Sequence, residues 1–206
     1  MKKSIRIFAL LAIGICFAFA LPKKGEPKKI NVLIDAGHGG KDYGAVHNAF
    51  REKEITNQIA AKIMAVNSDK EIVLHFTREE DAFVDLNERV EAMNTIKPDL
   101  VLSLHVNYTN KEESRSGMEF FVCKDAKEAS KSIAYANKLS DKFENKGYKV
   151  AELKYANFYT LKKSEVPTVV MELGYLSNEI DRAYLTNNKT QDEIAGIVAD
   201  FLKEIK

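Results

Sequence analysis

The chain has 206 residues, of which 45% are hydrophobic and 30% are charged, a balance typical of a globular protein with one domain. Its 31 basic and 30 acidic side chains leave a formal net charge of only +1. The sequence therefore lacks the broad basic surface with which proteins hold nucleic acid or anionic lipid, and we expect neither partner.

The first twenty residues differ in character from the rest of the chain. Basic residues near the start precede an apolar run over residues 7–20, which ends in Ala-Phe-Ala. This pattern predicts a secretory signal peptide over residues 1–20, followed by a polar linker over residues 21–29. An uncleaved anchor is the alternative, although the run is short for a membrane span. Lipidation at Cys16 is disfavoured because the residue before it, isoleucine, is large. We expect export, to the periplasm or the cell wall, and no stable membrane insertion after cleavage.

Residues 30–206 alternate predicted strands with predicted helices, which is typical of a layered α/β domain. Ile55, Ile59 and Ile63 recur at helical spacing, whereas short branched runs bounded by turns indicate buried strands. The predicted strands cover 30–35, 71–76, 99–104, 118–123 and 167–173, and the predicted helices cover 52–67, 83–97, 126–145 and 191–205. The pattern predicts a single three-layer domain with a mixed, mostly parallel central sheet between helices.

Two histidines and a glutamate lie at or near the ends of predicted strands: His38, His105 and Glu172. Since ligands of open α/β sheets gather at the carboxyl ends of strands, these distant residues can share one cleft. A catalytic zinc site commonly takes three protein ligands, often two histidines and one carboxylate. Glu52, at the start of the first helix, is a better carboxylate ligand than Glu54, which points about half a helical turn away.

Spacing alone leaves other interpretations open. No H-x-x-H or HExxH pattern is present, and Gly-His-Gly-Gly at 37–40 also occurs as a plain tight turn. The same segment is not a dinucleotide-binding motif, because Asp42 occupies the place of its third glycine. It also lacks the lysine and hydroxyl residue of a P-loop.

Four blocks in order, 34–45, 52–55, 103–107 and 167–178, resemble the zinc amidases of the N-acetylmuramoyl-L-alanine amidase type 3 family. The first reads Ile-Asp-Ala-Gly-His-Gly-Gly-Lys-Asp-Tyr-Gly-Ala, and the last contains Met-Glu-Leu-Gly-Tyr-Leu-Ser-Asn. The resemblance implies a fold related to that of zinc exopeptidases. It also implies hydrolysis of the amide between N-acetylmuramic acid and L-alanine in peptidoglycan, for cell-wall remodelling or cell separation.

The same resemblance implies a role for each matching residue. It implies that His38, Glu52 and His105 bind Zn²⁺ and that Glu172 is the catalytic carboxylate, which takes a proton from the attacking water and passes it to the departing nitrogen. Glu52 is chosen over Glu54 because the family's ligand is the glutamate of its Glu-Lys pair. Ala36 stands where the family often has proline, a change that touches no expected ligand.

Five further residues receive structural interpretations. Arg78 and Arg89 are expected to hold loops by ion pairing rather than to touch substrate. His75, within a strand, is expected to be a satisfied sheet histidine, and Cys123 a small buried hydrophobe. His47 could line the cleft but is not expected to be a ligand.

Two other functions remain open: a zinc peptidase or carboxypeptidase, and a non-catalytic peptidoglycan-binding protein. Regulation is predicted from the stretch between His105 and Glu172, which is filled by a predicted strand and a predicted helix. Some relatives carry a long insertion there that plugs the zinc site until an activator removes it. Because little length remains here for such a plug, we expect basal activity without an activator protein.

Overall fold

The computed structural model describes residues 29–110 and 115–206. The predicted signal peptide and residues 21–28 of the predicted linker lie outside the described residues. The strands are β1 (Ile30–Ala36), β2 (Val46–His47), β3 (Phe50–Arg51), β4 (Ile72–Phe76), β5 (Leu100–Asn107), β6 (Glu119–Val122), β7 (Lys154–Tyr155) and β8 (Thr168–Tyr175). The helices are α1 (Glu52–Val66), α2 (Leu86–Ile96), α3 (Ala129–Asn145), α4 (Tyr159–Lys163), α5 (Glu179–Leu185) and α6 (Asn188–Ile205).

Six strands form the central sheet in the order β4-β1-β5-β8-β6-β7. The pairs β4–β1, β1–β5 and β5–β8 are parallel, whereas β6 runs antiparallel to β8 and parallel to β7. Parallel neighbours need crossover connections, and here helices supply them. The strands β2 and β3 form a separate two-stranded hairpin just before α1.

The main core lies between one face of the sheet and helices α1, α3 and α6. Side chains alternate between the two faces of a strand, so Val32 and Ile34 of β1 enter this core while Leu33 points the other way. Leu33 packs with Val101 and with Met93 of α2 on the second face. Helices therefore cover both faces, which confirms the predicted layered α/β domain with a mixed, mostly parallel sheet.

Several details differ from the prediction, including the start of α3 at Ala129 rather than Ala126 and the start of α6 at Asn188 rather than Gln191. Helix α2 begins at Leu86 rather than at Phe83, because the Asp85 side chain accepts hydrogen bonds from the first-turn amides and Glu88 completes a capping box. Phe83 consequently lies in the preceding loop, 43% exposed. In addition, the short elements β2, β3, β7, α4 and α5 were not predicted. Within the described residues, no helix combines the length and apolarity needed to cross a membrane.

Candidate functional site

Side-chain alternation places three polar residues in one row on the second face of the sheet. Glu172 of β8 is the cross-strand partner of His105 on β5 and of Glu119 on β6. Their neighbours Leu104 and Met171 point into the main core instead. A one-residue shift in either strand pairing would break this row, so sheet register positions the site.

The Gly-rich loop after β1 brings His38 to the same edge. His38 adopts a left-handed conformation with φ of 59°, which is uncommon for a residue other than glycine. Two buried arginines fasten the loop. Arg89 donates to the carbonyl oxygens of Ala36 and His38 at 2.8 Å each, and Arg78 donates to the carbonyl of Gly37 at 2.9 Å.

The guanidinium groups of the two arginines have different additional partners. Arg89 forms the predicted ion pair, at 2.5 Å with the buried carboxylate of Asp35. For Arg78 the prediction of ion pairing was wrong: its guanidinium instead donates to backbone carbonyls and to the side-chain oxygen of Asn57. Carbonyls at the end of a strand need donors, and a planar guanidinium can satisfy several of them at once.

Glu52, the first residue of α1, lies between the two histidines. Its Oε2 is 3.1 Å from His38 Nε2, and its Oε1 is 3.0 Å from His105 Nδ1. The same carboxylate accepts backbone N–H groups from Ala45 and Val106. One ligand atom from each of His38, Glu52 and His105 lies within 4.8 Å of the others. The structure thus brings together the three residues predicted as metal ligands, while Glu54 pairs with Arg51 elsewhere.

These contacts govern the charges of the cluster. Burial opposes ionisation of Glu52, but the hydrogen bonds and charges of the two histidines outweigh it and hold the pKa of Glu52 below its ordinary value. Burial likewise opposes protonation of His38, yet Glu52 and Asp42 raise its pKa to about 9. The pKa of His105 is also raised, since Glu52 outweighs the effect of burial. The cluster therefore favours positive charge beside a buried carboxylate.

Two glycines make room for this cluster. A Cβ at Gly37 would lie 2.5 Å from Cε1 of the His105 ring, so only glycine lets that ring lie against the loop. Gly44 has φ of 64°, and a Cβ there would collide with the Glu52 carboxylate and the His38 ring. A larger residue at either place would displace a candidate ligand.

Glu172 is in a different electrostatic state. Its Oε2 is buried, with no hydrogen-bond partner among the described residues. Burial is the main cause that raises its pKa to about 7, and the nearby carboxylates of Glu52 and Glu119 add to the rise while His105 opposes it. A carboxyl group poised near neutral pH, beside a candidate metal cluster, suits a general base.

Glu119 was not singled out from the sequence. Its carboxylate accepts hydrogen bonds from Lys154 Nζ at 2.5 Å, Tyr175 Oη at 2.8 Å and Asn107 Nδ2 at 3.2 Å. Glu119 is 7% exposed, and it lies opposite Glu172 on the neighbouring strand. A charged residue in an otherwise apolar strand was the signal available for it.

A cavity of about 510 Å³ opens beside His38, His105 and Glu172, within the size range of ligand pockets. Exposed hydrophobic side chains form much of its wall: Phe83, Leu86, Phe158 and Tyr159. Phe158 packs against Phe121, with ring centroids 5.2 Å apart. The candidate base and two candidate ligands thus face a cleft that can take a bulky substrate.

Three other residues from the sequence analysis lie away from the metal cluster. His75 Nε2 is 3.2 Å from Asn31 Oδ1 within the sheet. His47 packs against Tyr108 with ring centroids 6.4 Å apart. Cys123 is 1% exposed and its thiol donates to Asn157.

The donor set fits a zinc ion. Two imidazole nitrogens and one carboxylate converge from a loop, a helix start and a strand end, the ligand types found in catalytic zinc sites. A buried carboxylate between two histidines of raised pKa is a place where a cation can replace protons.

The chain is similar to proteins of one known family. The family model described as N-acetylmuramoyl-L-alanine amidase matches residues 32–204. The N-acetylmuramoyl-L-alanine amidase LytC of Bacillus subtilis is 31% identical over 170 residues, which cover 82% of this chain and 34% of LytC. The endolysin of Bacillus phage SPP1 is 29% identical over 179 residues, which cover 84% of this chain and 65% of the endolysin. The chain thus spans about a third of the one and just under two thirds of the other.

Among solved structures, the catalytic domain of CwlV, an N-acetylmuramoyl-L-alanine amidase from Bacillus (Paenibacillus) polymyxa var. colistinus, has the same fold. It superimposes with a TM-score of 0.78 at 30% sequence identity, covering 85% of this chain and 97% of that domain.

Proposed function

We propose that this chain, a member of the N-acetylmuramoyl-L-alanine amidase family, hydrolyses the amide between N-acetylmuramic acid and L-alanine in peptidoglycan with the help of zinc. Its membership follows from the family model, which matches residues 32–204 and so spans nearly all the described residues. The observation that carries the proposal is that His38, Glu52 and His105 meet beside Glu172, whose Oε2 has no hydrogen-bond partner among the described residues. The fold alone would leave the chemistry undecided, since one fold hosts many functions.

We assign His38, Glu52 and His105 to the metal. Bound there, Zn²⁺ would polarise the scissile carbonyl and lower the pKa of water from about 15.7 toward roughly 7. Glu52 brings the negative charge that such a cation needs, and its two backbone N–H bonds fix its orientation.

Glu172 moves the proton. Its Oε2, which makes no hydrogen bond to the described residues, is free to accept the proton of the attacking water. The protonated carboxyl then donates that proton to the alanine nitrogen as the amide bond breaks. A pKa of about 7 suits both halves of this exchange, because the group can hold and release a proton near neutral pH. General acid and base catalysis of this kind contributes about 10²- to 10⁴-fold.

The apolar wall of the cleft would bind the substrate around the amide. Phe158 and Tyr159 offer flat surfaces next to Glu172, and closure of substrate against them would exclude water from the reacting bond. This wall suits the bulky glycan-linked peptide that an amidase must accommodate.

Export and independence from an activator complete the proposal. Residues 1–20 would direct secretion to the periplasm or cell wall, residues 21–29 would form a linker, and residues 30–206 would act there as the catalytic domain. Helix α3, within the stretch where some relatives carry a plug, packs through Leu139 and Phe143 into the main core. This packing, on the sheet face away from Glu172, supports an open cleft.

The test is metal-dependent release of amino groups from purified sacculi. Zinc-depleted protein should be inactive and regain activity with added zinc, whereas His105→Ala should stay inactive. His75→Ala is the matched control, since His75 contacts Asn31 rather than the cluster. Full hydrolysis by zinc-depleted protein in the presence of a chelator would contradict the proposal.

A further inference from the structure

We propose that Asp42 is a positioning residue for the metal centre: its carboxylate holds the His38 ring so that Nε2 faces the metal position and Nδ1 carries the proton. The inference rests on the proposed zinc site and adds to it a residue that binds neither metal nor substrate.

The two ring nitrogens of His38 have different partners. Nδ1 lies 2.8 Å from Asp42 Oδ2, whereas Nε2 lies 3.1 Å from Glu52 Oε2. Nε2 therefore faces the cluster that includes His105, and Nδ1 faces away from it. A carboxylate on one nitrogen keeps the proton there and leaves the other nitrogen's lone pair for a metal.

Asp42 is itself held in place by its own turn. Its backbone exchanges two hydrogen bonds with Gly39, of 2.9 and 3.0 Å, and its Oδ1 accepts the N–H of Gly44 at 3.1 Å. Both carboxylate oxygens thus act as acceptors, one for the loop and one for the histidine. The turn thus orients the carboxylate independently of its contact with the His38 ring.

This double acceptance predicts that asparagine cannot replace Asp42. An amide has one acceptor oxygen, so its NH₂ group must face either the Gly44 N–H or His38 Nδ1. In the second arrangement the amide donates to Nδ1, and the proton of the neutral ring moves to Nε2, where it blocks metal binding. Alanine would leave both His38 Nδ1 and the Gly44 N–H to water, and it would place no competing donor against Nδ1.

Asp42 contacts His38, one of the two candidate histidine ligands. His38 itself has a left-handed backbone, with φ of 59°. The ring of the other histidine, His105, is held by Glu52 at its Nδ1 and lies against Gly37. Asp42 therefore acts on one ligand, and its loss should weaken the metal site without dismantling it.

The experiment measures zinc dissociation constants by chelator competition in the full mature protein. Asp42→Ala should weaken zinc binding by about 10- to 100-fold, the range usual for such outer partners, and Asp42→Asn at least as much. Asp81→Ala is the matched control. Asp81 fastens the same loop through Gly40 N–H at 2.7 Å and Lys53 Nζ at 2.6 Å but contacts no histidine.

A second readout separates positioning from loop packing. In the zinc-loaded wild type, the His38 Nδ1–H proton should give a downfield, slowly exchanging NMR signal, which Asp42→Ala should lose and Asp81→Ala should keep. Zinc binding by Asp42→Ala within about threefold of wild type, or equal weakening by Asp81→Ala, would overturn the proposal. Failure of the zinc site as a whole would appear separately, as wild-type protein that binds no zinc.

Discussion

Glu172→Gln should abolish most turnover while making the metal-free fold less sensitive to rising pH. The carboxyl of Glu172 has its pKa raised from 4.5 to about 7, chiefly by burial. A group whose pKa is raised on folding stabilises the fold below its unfolded pKa and loses that contribution as pH rises through the folded pKa. Ionised Glu172 therefore destabilises the metal-free protein at alkaline pH.

The magnitude follows from the two pKa values. A tenfold change in proton affinity is worth about 1.4 kcal/mol, so a rise from 4.5 to about 7 corresponds to about 3 kcal/mol at high pH. Between pH 5 and pH 8, about 2.5 kcal/mol of this should appear. Glutamine does not ionise, so this loss should be absent from the variant. A buried amide adds its own offset, but that offset does not depend on pH.

The assay is urea unfolding of metal-free wild type and Glu172→Gln at pH 5 and pH 8. The stability of the variant relative to wild type should increase by about 2.5 kcal/mol between the two conditions. Zinc should remain bound to Glu172→Gln while turnover falls by about 10²- to 10⁴-fold. A variant that loses zinc, or whose relative stability does not change with pH, would refute this assignment of Glu172.

Four other outcomes are expected. Arg89→Met should lower the free energy of unfolding, measured in urea, by about 3–5 kcal/mol, because it leaves the buried carboxylate of Asp35 without its ion partner. Arg51→Met, in an exposed pair, should have a much smaller effect, and equal effects would contradict the burial argument. Zinc affinity, measured by chelator competition, should rise at least about tenfold from pH 6.5 to 8.5, since protons compete with zinc for His38, whose pKa is about 9. An affinity that does not change with pH would argue against His38 as a ligand. N-terminal sequencing of protein from the cell envelope should begin at Leu21, and a full-length membrane-embedded chain would favour the anchor. Isolated protein should hydrolyse sacculi unaided, and a rate near zero that rises at least about tenfold with a proteinaceous factor from envelope extract would show that an activator is needed.

The sequence carried enough information to predict the layered fold. Ile55, Ile59 and Ile63 recur on one face of α1, and the branched runs of β1 and β5 mark buried strands. Strand ends also predicted that His38 and His105 would meet, because parallel strands share one carboxyl edge.

Other features could not be read from periodicity. Strands of two residues, such as β2, β3 and β7, are too short to show alternation. The antiparallel direction of β6 depends on sheet pairing, which local pattern does not encode. The start of α2 was readable, since Asp85 and Glu88 form a capping-box signature, but the apolar spacing of Phe83 favoured an earlier start.

The contacts of Asp42 and Glu119 lay beyond the sequence for another reason. Each depends on where a carboxylate meets a partner from another part of the fold: His38 in one case, Lys154 and Tyr175 in the other. Only tertiary structure shows that one carboxylate fixes a candidate ligand while the other lies beside the candidate base.

The bond that the protein cleaves tests the central proposal most directly. Purified sacculi should be digested with the zinc-loaded mature protein, and the products identified by mass spectrometry. Free stem peptides that begin with L-alanine should appear, together with glycan strands whose muramic acid carries a free lactyl carboxylate. Peptides cut internally, with L-alanine still attached to muramic acid, would contradict the proposed amidase activity and identify a peptidase.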